Sequence, residues 1–154
     1  MKMTNFKISQ GPLSVKLLVT VIMLGIAITY MILALHIYID TEFNPSLIGE
    51  AYSTFEWIEL TDQTHKYFPY YGIYIFAFSL IIFVLGTSYS EKLKRIVTVV
   101  PPVLIVFDIG SMWAIPYISK GIFQWVLFFA GNFLALSFAT IFVLTLYDVW
   151  LKKA

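Results

Sequence analysis

Asp108 stands alone as a carboxylate inside the apolar stretch from Ile96 to Ile118. Water does not solvate a side chain held in hydrocarbon, so a carboxyl there has to be neutral, hydrogen-bonded or paired. An ionisable residue at that depth marks a functional site by default. Counting from both ends of the stretch puts Asp108 near the middle of a membrane. Tyr30, Ser111 and Asn132 fall at similar depth, together with Thr29, Tyr74, Ser79 and Ser137, and make a candidate intramembrane polar layer. A protonated Asp108 would donate to a carbonyl oxygen, with the amide of Asn132 within reach. Three roles follow: a clamp that fixes helix register, a proton-transfer or ion-binding group, or a contact to a partner subunit or cofactor. A proton path needs a chain of titratable groups. Only Asp148 follows Asp108 on that side, near the end of the last apolar segment, where an interfacial carboxylate is ordinary.

His36 and His65 form the second constellation. Both fall near one membrane face on consecutive segments of opposite direction. Two facing imidazoles can hold a b-type haem without a covalent link, each ring fixed through its free nitrogen. The alternatives are a contact to another metal or a quinone, or simple interfacial placement of an amphipathic ring. A metal site adding Asp62 has no diagnostic spacing. There is no glycine-rich phosphate loop and no nucleophile elbow. With no cysteine, the chain forms no disulfide, no covalent haem attachment and no thiolate metal site. No motif identifies an enzyme.

These residues are carried by segments that composition assigns to a membrane. Of 154 residues, 60% are hydrophobic and 12% charged, with a mean hydropathy of +0.84, more apolar surface than a soluble domain of this size can bury. Four runs, about 15–39, 67–88, 96–118 and 123–150, are long enough to cross about 30 Å of hydrocarbon. The short connections Ser90–Arg95 and Ser119–Gly121 force neighbouring spans antiparallel, so 1–154 reads as one all-α integral membrane domain, a four-helix antiparallel bundle. Lys2, Lys7, Lys16, Lys92, Lys94, Arg95, Lys152 and Lys153 fall on one side, Lys66 and Lys120 on the other. The positive-inside rule then places both termini in the cytoplasm. Tyr38, Tyr67, Tyr70, Tyr117, Trp125 and Trp150 suit an interfacial belt. A net charge of +1 offers nothing to nucleic acid.

Between the first two spans, Asn44-Pro45 reads as a helix cap followed by proline at the first helical position. Leu47, Ile48, Ala51, Tyr52, Phe55 and Ile58 recur at helical spacing, which predicts one short amphipathic helix on the outer face. Gly25, Gly72, Gly110 and the series Gly131, Ala135, Ala139 predict close helix contacts, within the bundle or against another subunit. Pro101-Pro102 predicts a kink in the third span or a delayed start to it.

Several stretches together resemble a group of small four-span bacterial membrane proteins linked to c-type cytochromes and respiratory complexes. They are Gly11-Pro12-Leu13-Ser14-Val15-Lys16-Leu17-Leu18, Ala51-Tyr52, His65, Phe107-Asp108-Ile109-Gly110-Ser111-Met112-Trp113, Leu136-Ser137-Phe138-Ala139 and Leu146-Tyr147-Asp148-Val149-Trp150. The group carries two histidines spaced by one residue at the start of span 2; here the second position is Tyr67. The resemblance implies an electron-transfer setting in a bacterial cytoplasmic membrane. The leading expectation is a non-catalytic accessory subunit of a membrane electron-transfer or oxidoreductase complex, its partners the bilayer and larger membrane subunits. A b-haem relay through His36 and His65, or a small proton, ion or solute transporter using Asp108, are the alternatives.

Overall fold

The computed structural model describes residues 7–152 and is helical throughout, with no strand among the described residues. Four helices are long and apolar enough to cross a membrane: α1 (Leu13–Thr41), α3 (Trp57–Gly86), α4 (Glu91–Tyr117) and α5 (Lys120–Trp150). A short helix, α2 (Pro45–Ser53), lies between the first two. Helix is the only answer open to a single span, because lipid offers no partner to an unpaired N–H or C=O. The all-α, four-span bundle expected from composition is therefore what forms. Lys2 and Lys153, two of the cations used to orient the chain, lie outside the described residues.

Helices outrun the apolar stretches that announced them. Hydropathy marks where hydrocarbon is, whereas Glu, Lys and Gln are good helix formers that continue a helix into the interface. Thus α4 begins at Glu91, where the Ser90 hydroxyl accepts from the Leu93 N–H at 3.4 Å, so most of the expected Ser90–Arg95 loop is helical. It then runs without a break through Pro101 and Pro102.

The expected amphipathic helix is two pieces. Asn44 caps α2 through its side-chain oxygen, 2.9 Å from the Ser46 N–H, with Pro45 at the first turn as the sequence indicated. Residues 54–56 then leave helical geometry. The Glu59 carboxylate accepts from the Glu56 N–H at 2.8 Å and starts a new helix that continues into the second span. Ile58 and Glu59 therefore belong to α3. This cap is half of a capping box, and Glu59→Ala should fray the first turn of α3 at a cost of about 1 kcal/mol, read as faster hydrogen exchange there. Where Pro69 removes a donor, α3 widens into a π-helical stretch, Tyr70–Ala77, before resuming as α-helix.

Two clusters hold the bundle. The larger joins α1, α3, α4 and α5 through Met23, Ile75, Phe76, Phe83, Ile105, Leu134, Phe138 and Ile141. The smaller, Ile48, Leu60, Met112, Ile115 and Leu127, lies beneath α2. The pair α4 and α5 shares the most extensive interface. In contrast, α1 has only 17% of its most apolar window buried, so lipid or another chain must cover the rest. The turn into α2 is tight, with Glu42 and Phe43 both at positive φ (51° and 52°). That left-handed geometry folds α2 back over α4 and α5.

The close helix contacts differ from those the small residues suggested. A Cβ on Gly25 or Gly110 would meet nothing within 4 Å, so neither makes a tight seam within the chain. Gly86, which faces Ile8, and Gly49, which faces Gln124 and Lys120, are the crowded ones. Between α3 and α4 the indole of Trp113 donates to the Thr64 hydroxyl at 2.8 Å. An interhelical bond in lipid contributes about 1 kcal/mol. Trp113→Phe should therefore lower the unfolding midpoint in detergent by a few degrees, and Thr64→Val by the same amount.

Candidate functional site

A cleft of about 190 Å³ opens beneath α2 and reaches down to Asp108. Every long helix contributes. From α1 come Tyr30, Ile37 and Asp40; from α2, Ile48, Ala51 and Tyr52; from α3, Gln63, Tyr67 and Tyr71; from α4, Asp108 and Met112; from α5, Phe128, Gly131, Asn132 and Ala135. Asp108 and Met112 both face it because one helical turn separates them. Tyr67 and Tyr71 do so for the same reason, with rings stacked 6.2 Å apart, and Tyr71 sits in the widened stretch of α3.

Asp108 is 5% exposed. Its carboxylate makes no hydrogen bond to another side chain or backbone group among the described residues; its open side is the cleft. The expected bond to Asn132 does not form. Asn132 lines the same cleft, but its amide donates to the Phe128 carbonyl one turn back, at 2.8 Å. Ser111 turns to the Phe107 carbonyl and stays out of the cleft, although it is buried. Thr29, Ser79 and Thr145 likewise bond the carbonyl four residues earlier. A hydroxyl in hydrocarbon satisfies itself most cheaply on its own helix, so the expected polar layer dissolves into separate helices. Asp108 makes no such bond here: an ionised carboxylate only accepts, and a backbone carbonyl donates nothing to it.

Gly131 lies beside the carboxylate on the cleft wall. A Cβ there would lie 3.5 Å from Asp108 Oδ1, in ordinary contact. Thus Gly131 and Ala135 line the cleft instead of forming a tight helix seam, and Ala139 is exposed. At the mouth, Asp40 and His36 stand one turn apart on α1, with His36 Nε2 3.5 Å from Asp40 Oδ2 and both side chains exposed. His65 is exposed on α3 and does not line the cleft, so the cleft unites His36 with Asp108 and Tyr30 but leaves His65 outside. Tyr67, expected in the interfacial belt, is a cleft residue; Tyr38, Tyr70, Tyr117, Trp125 and Trp150 are exposed as a belt requires. In the roof, burial and the neighbouring Tyr67 phenol push the Tyr52 phenol well above the ordinary tyrosine range.

Sequence reasoning missed a second buried carboxylate. Asp148 is fully buried. Its oxygens accept from the Ser88 N–H, at 3.2 and 3.1 Å, and from the Ser88 hydroxyl, with Lys152 Nζ 3.4 Å away. The carboxylate stands near the end of the last span, where the α3–α4 turn folds over the end of α5 and buries it. Lys152 is at i+4 spacing, but the Ser88 donors lie sixty positions away in the chain, a separation at which no spacing rule operates. The two aspartates thus do opposite things: one is met by the donors of Ser88 and Lys152, the other by none among the described residues.

A family model described as a transmembrane helical domain matches residues 43–154, which takes in α2 through α5. Neither a curated protein nor a solved structure matches the chain.

Proposed function

Because the chain belongs to the Aq_1264_TM family of transmembrane helical domains, we propose that it is a non-catalytic accessory subunit of a membrane electron-transfer or oxidoreductase complex, one that holds a ligand in the cleft over Asp108. The observation that carries the reading is a buried carboxylate, without a partner among the described residues, at the foot of a cleft. A carboxylate that served only helix register would be tied to donors on a neighbouring helix or turn, as Asp148 is. The hydroxyls near Asp108 are spent on their own backbone, which favours binding over nucleophilic chemistry. Beyond the cleft, Ile105, Leu134, Phe138 and Ile141 pack the bundle, which favours holding a ligand over passing one through.

The electron-transfer setting draws on the sequence resemblance. Two of the stretches that carry it converge here, since Ala51, Tyr52, Asp108 and Met112 all line the cleft. A haem between His36 and His65 draws no such support, because only His36 reaches the cleft. We place the α2 end outward in a bacterial cytoplasmic membrane, since Lys16, Lys92, Lys94, Arg95 and Lys152 cluster at the opposite end.

Purification of the tagged chain from its native membrane in mild detergent tests this. Oxidoreductase or cytochrome subunits are expected in stoichiometric amount, and deletion of the chain should reduce the recovery of their complex. A chain that migrates alone, with the complex intact in its absence, would overturn the reading.

A further inference from the structure

We propose that the cleft binds an organic cation, an ammonium group carried on an apolar body, with its charge against Asp108. The inference rests on the reading of this cleft as the working site and adds the class of ligand. Asp108 is nine-tenths buried and aimed into the cleft without a donor of its own, so its occupant has to supply one. The carboxylates on the lining are Asp108 at the foot and Asp40 at the mouth, where His36 Nε2 stands 3.5 Å from Asp40 Oδ2, and no Lys or Arg lines the cleft among the described residues. An anionic ligand would meet repulsion at the foot, and a neutral acceptor would leave the carboxylate unanswered.

The walls fit the same ligand. Tyr30, Tyr52, Tyr67 and Tyr71 surround the space above Asp108. Phenol rings attract an ammonium through their faces, the device by which aromatic cages hold alkylated amines. Between the rings the lining is aliphatic, which accommodates an apolar body. Asp108 and the cage together outcompete water for an ammonium entering from the lipid phase or from the aqueous mouth.

The test uses the full chain in mild detergent and a matched pair of probes, 4-phenylbutylammonium and 4-phenylbutanol, titrated by calorimetry at neutral pH. The two share an apolar body and differ in charge. The ammonium should bind about tenfold or more tightly than the alcohol, a difference of about 1.4 kcal/mol. Asp108→Asn keeps the shape and should remove that preference.

Equal binding of the two probes, both reduced by Asp108→Asn, would overturn the cation while leaving the cleft as a binding site. Binding of neither probe, in a folded protein that still joins its complex, would overturn the ligand class and leave the accessory role. Repeating the titration in nanodiscs of phosphatidylglycerol, with and without phosphatidylethanolamine, separates two sources of the same chemistry. Competition by the ethanolamine lipid assigns the ammonium to a lipid headgroup. An unchanged affinity assigns it to a free amine.

Discussion

Asp148→Ala is expected to cost the bundle about 3 kcal/mol, the largest loss of any single polar substitution in this chain. The carboxylate is fully buried and takes both donors of Ser88. Hydrogen bonds to a charged group contribute about 1.5–3 kcal/mol each, and the donors left behind would lie half-buried without partners. The ion pair with Lys152 adds little, because that side chain is 36% exposed and its charge can return to water. Around the pair, the Tyr89 hydroxyl donates to the Leu144 carbonyl at 3.0 Å, Lys152 Nζ sits 4.2 Å from the Tyr89 ring centroid, and Tyr89 stacks on Phe83. Loss of Asp148 therefore frees the α3–α4 turn as well as one bond. Denaturant melts in detergent should rank Asp148→Ala far below wild type, with Asp148→Asn recovering part of the loss by accepting one bond, and Lys152→Ala close to wild type. Equal midpoints for Asp148→Ala and Lys152→Ala would show that the clamp does not hold the turn.

That clamp also marks the limit of what the sequence makes legible. Four spans and their alternation follow from apolar length alone, since lipid leaves the backbone no alternative to helix. Asp108 stands out for the same reason, as the one acid at the middle of an apolar stretch, and its partner set is the harder question. Depth along the membrane is readable by counting, and Tyr30 and Asn132, which counting sets at the depth of Asp108, line the same cleft. Rotation about each helix axis is not readable that way. Ser111, three residues after Asp108, turns to its own backbone, and His65 turns outward while His36 faces the cleft. The break at residues 54–56 did carry a local signal: Glu56 and Glu59 have the spacing of a cap. The apolar periodicity that continues across them, through Phe55 and Ile58, masks that signal.

Gly49→Val should detach α2 while leaving the four long helices folded. Gly49 is buried where α2 meets α5, and an added Cβ would run into Gln124 Oε1 and lie 3.1 Å from Lys120 Cε and 3.2 Å from Gln124 Cβ. The amide end can swing away, but the Gln124 Cβ is fixed to its helix, so a branched side chain has to lift α2. Overpacking of this kind costs about 1–3 kcal/mol. The loss falls on a single short element held by Ile48 and Gly49, so it should appear as local opening with little change in the global melt. Amides of Pro45–Ser53 should exchange faster, and ligand affinity should fall because Tyr52, Ala51 and Ile48 leave the roof together. Gly49→Ala, whose one methyl needs only the amide to move, should sit between wild type and valine. Adding Gln124→Ala to Gly49→Ala should restore protection, because the obstruction is removed from the other side and the two changes couple. Unaltered exchange across α2 in Gly49→Val would mean that the helix is held elsewhere, and that the roof of the cleft does not depend on this contact.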